Sequence, residues 1–300
     1  MSGSWNGPVA EPIPEIPEKP TWALFTKQAS YQQAVRRKEA LPVAYRQEDA
    51  SLFTLPLDRT FCYLVTGREQ SGKSTFLRNL IAAAGDMGAE IHIMDNEAQG
   101  DKALADLPGT DYASTPEELF ALLKGLINLT NARGALRKQL REEGLENGEI
   151  WQRVAEKFPP VFYILPDLPD FMNRLYNDYA TAKPNPSAEA GMKKLTKMGA
   201  HFDNIFNKGK LLNVFFIGAA NVSALNTLTG RQAYNTFVRD RQGVILSTEL
   251  GKQSLIPYQN IKYAEQSKRP KVGSGYASDF DGEQTVELIV VPNHKGGKGA

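Results

Sequence analysis

Nine consecutive residues have the types and spacing to hold a polyphosphate: Gly67-Arg68-Glu69-Gln70-Ser71-Gly72-Lys73-Ser74-Thr75, a complete G-x-x-x-x-G-K-[ST] run. Each part of the run has a physical task. Gly67 and Gly72 let the backbone turn tightly, and the amides from Ser71 to Thr75 then converge at a helix N-terminus, where an anion is favoured. The Lys73 ammonium would reach the β- and γ-phosphates of a nucleoside triphosphate, and the Ser74 hydroxyl would ligate Mg²⁺. The implied cofactors are ATP and Mg²⁺, with Gly67 through Thr75 as the nucleotide-binding residues.

Hydrolysis asks for more than grip. It needs an acid that holds the metal and a second that polarises the attacking water. The strand expected to carry them is Val161–Leu165, followed by Pro166-Asp167-Leu168. In one register Pro166 stands where the metal-holding acid belongs and Asp167 where the catalytic acid belongs. Shifted by one, Asp167 takes the metal and Leu168 falls on the catalytic position. Either way one acid is missing, and Asp167 and Asp170 also read as caps of the next helix. Asp95 is a substitute acid at an earlier strand end. The loss of one acid raises the barrier while leaving binding nearly intact, so the chain reads as a better binder of ATP than a hydrolyser.

Other chemistry-bearing residues give weaker signals. Asn221 follows the most apolar run and is a candidate sensor of the γ-phosphate. Arg231, Arg239 and Arg241 surround a helix end, where one would serve as an arginine finger across a ring interface. His92, His201 and His294 are scattered without metal-ligand spacing. Cys62 is the only cysteine and reads as a buried thiol.

The elements that must position these groups follow from the pattern. Thr60–Thr66 is an apolar run before the loop, and Phe76, Leu77, Leu80 and Ile81 follow it at helical spacing, which gives strand, glycine loop and helix. Leu41–Tyr45 and Leu52–Leu57 suggest two short strands ahead of it. Further strands are expected at Ala89–Asp95, Val161–Leu165, Leu211–Ala220, Gly243–Ser247 and Thr285–Val291. Thr115-Pro-Glu-Glu118 marks a helix start, with a capping hydroxyl, a first-turn proline and acids. Arg133–Leu145 reads as a highly charged, exposed helix; the stretch from Arg133 to Trp151 is either an interaction face or, the first reading on composition, a solvated helix that covers its own core with Leu136, Leu140 and Leu145. Helices are also expected at Asp170–Tyr179, Ser187–Asn207 and Gln232–Arg239. Strands alternating with helices imply an α/β fold, a mostly parallel sheet with helices on both faces.

Composition bounds the reading. The 300 residues carry 35 Lys and Arg against 34 Asp and Glu, a net charge of +1. No global field therefore calls for nucleic acid or an anionic membrane, and no nucleic-acid partner is expected. No apolar run has the length of a transmembrane helix. The division expected is a proline-rich linker or arm at 1–40, a nucleotide domain at 41–295, and a tail at 296–300.

The text around the loop resembles a family. Leu41-Pro-Val-Ala-Tyr-Arg-Gln-Glu-Asp49, a strand pair, and Tyr63-Leu-Val-Thr-Gly-Arg-Glu-Gln-Ser-Gly-Lys-Ser-Thr-Phe-Leu77 are similar to the start of FtsK/SpoIIIE-type ATPase domains. Leu211–Ala219, Tyr234-Asn-Thr-Phe-Val238 and the closing Ile261–Tyr276 segment, with its Gly-Ser-Gly-Tyr, look like the last ATPase domain of the EssC family of Firmicute type VII secretion. The resemblance implies a RecA/FtsK-like P-loop NTPase fold with an N-terminal extension. It implies a C-terminal module of a longer membrane-anchored chain, on the cytoplasmic face of the membrane and after preceding ATPase domains. It also implies homo-hexameric assembly and secreted WXG-type helical proteins as partners. The module would act in substrate recognition or regulation of export. The competing expectation is an active hexameric motor ATPase or DNA translocase of the FtsK/HerA class.

Overall fold

The apolar runs around the glycine loop become neighbouring strands of one ten-stranded sheet in the computed structural model, which describes residues 15–176, 190, 198–230, 232–281 and 284–294. In chain order the strands are β1 (Ala40–Arg46), β2 (Leu52–Pro56), β3 (Cys62–Gly67), β4 (Glu90–Met94), β5 (Thr110–Ala113), β6 (Val161–Leu165), β7 (Val214–Asn221), β8 (Gly243–Leu246), β9 (Ser274–Ser278) and β10 (Val286–Val290). Their order across the sheet is β2-β1-β10-β9-β8-β3-β7-β6-β4-β5.

The six strands from β8 to β5 are mutually parallel, and β9, β10, β1 and β2 extend the sheet in antiparallel fashion. The parallel part carries the site. In it β3 is central, paired in register with β7 (Gly67 opposite Asn221) and with β8 (Gly67 opposite Leu246). All six residues of β3 are buried, as expected for a strand covered on both faces. Strand β9 was not expected from sequence, because Ser274-Gly-Tyr-Ala-Ser is short and glycine-bearing. It forms by pairing with β8 on one side and β10 on the other.

Helices cover both faces. Tyr63 and Val65 of β3 face one core with Phe76, Leu77 and Leu80 of α3 (Lys73–Asp86). Cys62 and Leu64 face the other, with Leu119, Leu123 and Leu126 of the long helix Pro116–Glu142 and Phe171 of the helix Leu168–Tyr176. Burial pushes the Cys62 thiol well above its ordinary range, as suits a packing residue.

The Thr115 signal is realised as a capping box, in which Thr115 Oγ1 accepts from the Glu118 amide and Glu118 Oε2 accepts from the Thr115 amide. The helix it starts runs on without a break through Arg133, so the helix expected at Arg133–Leu145 is the C-terminal part of this longer one. Arg133 is buried. Its guanidinium donates to Leu212 O, Asn213 O and Pro159 O and lies over the Phe158 ring, 5.0 Å from its centroid. Leu140 packs with Ile150 and Val154 of the following helix Asn147–Lys157, flanked by Leu136 and Leu145. Arg137 donates to Lys208 O and Lys210 O. Leu136, Leu140 and Leu145 thus cover the core, in line with the core-covering reading of this stretch, and Arg133 and Arg137 are structural donors.

Residues assigned to the arm also join the domain. Two helices, α1 (Trp22–Thr26) and α2 (Ala29–Arg37), lie before β1. Phe25 and Tyr31 are buried in the main core, and Tyr31 Oη donates to Asp86 at 2.7 Å. The first 14 residues of the expected arm, the end of the Asp170–Tyr179 helix and most of the first half of the Ser187–Asn207 helix lie outside the described residues. Among the described residues the helix Gly199–Lys208 overlaps the end of the last.

Candidate functional site

The site is built where the parallel strands end. In open α/β sheets the carboxyl edge is the place where ligands are held, because helix N-termini and loops converge there. The loop Arg68–Gly72 leaves β3 at that edge, and Asn221, Thr248, Asp95 and Asp167 lie on or just after the carboxyl ends of β7, β8, β4 and β6.

The loop's shape explains its glycines. A Cβ on Gly67 would stand 2.5 Å from both Leu246 O and Ser71 Oγ, so only glycine lets the loop fold back here. Gly72 has φ 102° and is the N-cap of α3, a left-handed position. The first helical bond runs from Phe76 N to Gly72 O. The amides of Lys73, Ser74 and Thr75 therefore precede the helical ladder, as an anion-binding N-terminus requires. The Arg68 amide donates to Thr248 Oγ1 at 3.1 Å, tying the loop to the end of β8. From the other side Gly273, in the Gly-Ser-Gly-Tyr segment, donates its amide to Ser71 O, and Ser247 Oγ donates to Lys271 O. Ser71 Oγ is buried and has no hydrogen-bond partner among the described residues.

Lys73 Nζ donates to Arg68 O at 2.7 Å and to Asn221 Oδ1 at 2.8 Å. Burial lowers its pKa, and Asp101 and Glu69 oppose that shift. Ser74 Oγ donates to Asp101 Oδ1 at 2.8 Å. Asn221, expected as a sensor, thus meets Lys73, while Glu69 and Gln70 lie exposed on the rim.

The acids sort by their partners. Asp95, the substitute acid suggested by sequence, is buried and its carboxylate is occupied. Its Oδ1 accepts from Asn96 N at 2.8 Å, and its Oδ2 accepts from Asp101 N at 3.0 Å and Tyr112 Oη at 2.8 Å. It organises the loop after β4. Asp167 Oδ2 accepts from Asn96 Nδ2 at 3.0 Å, and its Oδ1 accepts from the Asp170 amide at 3.1 Å, the helix-capping role. Asp170 pairs with the buried Arg174 at 2.6 Å; burial raises its pKa and Arg174 opposes this. The acid on the loop hydroxyl is Asp101, which sequence reasoning missed. No spacing rule ties it to the loop, and the one signal is the acid-rich run Asp95–Asp101 after a strand. Among the described residues no three His, Cys, Asp or Glu side chains are grouped to hold a metal by themselves. A Ser hydroxyl beside a carboxylate still supplies the hard oxygen donors that Mg²⁺ takes alongside phosphate and water.

A cleft of about 990 Å³ opens beside the loop, lined by Arg68, Glu69, Asn221, Tyr234, Thr248 and Leu255 among others. Arg239 and Arg241 precede β8, at the opposite edge of the sheet, and Arg241 donates to Ser254 O and Leu255 O. Neither belongs to this site, and Arg231 lies outside the described residues. His92 pairs with Asp111 at 3.2 Å, and His294 stacks on Trp22.

This arrangement of strand, glycine loop and helix on a central parallel sheet is the fold of a P-loop ATPase domain. Comparison with solved structures specifies it further. The cytoplasmic domain of EssC matches over 95% of this chain and 49% of its own, with TM-score 0.72 and 17% identity. ATPases 2 and 3 of Thermomonospora curvata EccC, in complex with a signal sequence peptide, match over 97% and 46%, with TM-score 0.62 and 15% identity. The pCW3 conjugation coupling protein TcpA, with ATPγS, matches over 94% and 71%, with TM-score 0.62 and 14% identity. The chain thus spans about half the length of the first two. At these identities the likeness is one of fold. No protein-family model matches the chain, and no curated protein matches it. Among the described residues no helix is long and apolar enough to cross a membrane.

Proposed function

We propose that this chain is a nucleotide-binding ATPase module of a type VII secretion machine, one of several ATPase domains in a longer chain. The observation that carries the reading is the loop itself. Lys73 Nζ and Ser74 Oγ stand at the first turn of α3, with Asn221 on one and a carboxylate on the other. In this reading the amides of Ser71 to Thr75 and the Lys73 ammonium hold the phosphates of ATP. Asn221 hands Lys73 over to the γ-phosphate. Ser74 would hold the Mg²⁺ that accompanies the nucleotide, and that ion would supply charge neutralisation of the phosphates.

Asp167 is the acid that would orient the attacking water. Both of its oxygens already accept hydrogen bonds, from Asn96 and the Asp170 amide, which weakens it as an acceptor for that water's proton. With Pro166 one position earlier, slow turnover follows. The module then works by binding ATP, ordering its contacts with preceding ATPase domains or with neighbours in a hexamer, and so regulating recognition of secreted helical proteins at the cytoplasmic face of the membrane. The fold likeness to EssC and to a peptide-bound EccC supports this assignment.

The test is calorimetric titration with ATP and Mg²⁺ together with a phosphate-release assay on the same chain. Binding with turnover below ~1 s⁻¹, the low end of ordinary enzymes, is expected. Faster turnover that Lys73→Ala abolishes would favour the motor reading, to which the likeness to a conjugation coupling protein lends support. Absence of nucleotide binding would refute both.

A further inference from the structure

The loop between β4 and β5 is built more firmly than a connection needs. Asp95 reaches forward to the Asp101 amide, Asn96 Oδ1 accepts from the Gly100 amide, and Gln99 Nε2 donates to Ser114 Oγ at 3.2 Å. Leu104, in the short 3₁₀ turn that follows, is buried in the main core and anchors the far end. The product of this bracing is one carboxylate, that of Asp101, held 2.8 Å from the Ser74 hydroxyl.

We propose that Asp101 supplies the metal-holding acid that Pro166 removes from the end of β6, so that a divalent cation accompanying the nucleoside triphosphate is held between Ser74 and Asp101. This inference rests on the nucleotide-binding reading above and names a residue of the same site. Two features support it. The hydroxyl that donates to Asp101 is the one that the loop motif reserves for the metal. Magnesium takes one or two carboxylates and keeps water and phosphate for its other positions, so a single well-placed acid suffices. The assignment also separates two functions that usually share one strand end. Metal holding comes from the β4–β5 loop, and the acid left after β6, Asp167, is committed to Asn96 and a helix cap.

The experiment compares ATPγS affinity with Mg²⁺ and with EDTA, by calorimetry, for the wild type, Asp101→Asn and Asp106→Asn. Asparagine keeps an oxygen that accepts from Ser74, and Asp106 is an exposed acid of the same segment. The wild type is expected to bind more tightly with Mg²⁺. Asp101→Asn should lose at least ~10-fold of that gain while its affinity in EDTA stays equal or rises, because a negative charge near the phosphates is gone. Asp106→Asn should match the wild type. Retention of the full Mg²⁺ gain in Asp101→Asn would overturn the proposal, as would weaker binding in EDTA, which would give Asp101 a structural role. A wild type that binds ATPγS equally with and without Mg²⁺ would also overturn it and leave the phosphate-loop reading standing. A wild type that binds no nucleotide in either condition would remove that reading itself.

Discussion

Replacing Lys73 by alanine separates nucleotide grip from stability. In the protein its ammonium has two neutral acceptors, Arg68 O at 2.7 Å and Asn221 Oδ1 at 2.8 Å. Arg68 and Asn221 are both exposed, so water replaces the lost donor on each. The substitution also falls in the first turn of α3, where alanine is a good helix former. The lysine is partly desolvated already, as its lowered pKa reports, so its removal relieves part of that cost. The net change in stability should stay within about 1 kcal/mol. Binding responds differently. A charge-assisted hydrogen bond to phosphate contributes about 1.5–3 kcal/mol, which corresponds to about 10- to 150-fold in affinity. The assay pairs calorimetric titration with ATPγS and Mg²⁺ with thermal melts recorded without nucleotide. Weakened binding with a nearly unchanged melt is the expected result. Equal affinity in the variant would refute the phosphate-loop assignment, and a collapsed melt would show that Lys73 holds the loop instead of the ligand.

Three further outcomes are expected. Gly67→Ala puts a Cβ 2.5 Å from Leu246 O, a backbone atom that cannot step aside, so the melt should fall by the equivalent of about 1–3 kcal/mol and ATPγS binding should be lost; an unchanged melt and affinity would contradict the loop geometry. Arg133→Met leaves Leu212 O, Asn213 O and Pro159 O without their guanidinium donor and should cost about 3 kcal/mol in denaturant unfolding, with nucleotide affinity unchanged in the variant that remains folded. Burial lowers the His92 pKa below its ordinary 6.5 against the pull of Asp111, so the unfolded chain binds the proton more readily; His92 therefore makes stability rise with pH across the window just below 6.5, and His92→Gln should shrink the drop in melting temperature between about pH 7.5 and about pH 5.5.

Sequence determined the parts of this protein whose chemistry is local. Strand, glycine loop and helix follow from Cys62–Asp86 alone, because Gly67, Gly72 and the apolar positions of α3 each answer a requirement met within a few residues. The Thr115 capping box is local in the same sense. The tertiary structure decided whatever depends on contacts between distant segments. Arg133–Leu145 looked exposed because its charges dominate its composition, yet Arg133 reaches carbonyls as many as 80 residues away and its helix runs unbroken from Pro116. Strand β9 exists because β8 and β10 offer it two edges, which no propensity in Ser274–Ser278 would predict. The acid beside the loop shows this most directly. Sequence pointed to Asp95 and Asp167 by their places after strands, and the fold commits those two to hydrogen bonds. It brings Asp101, 27 residues beyond Ser74, to the hydroxyl instead. A strand-end position can be read from sequence because it needs only a pattern of apolar residues. The direction of a side chain at the end of a braced loop cannot, because it depends on Tyr112, Ser114 and the buried Leu104 together.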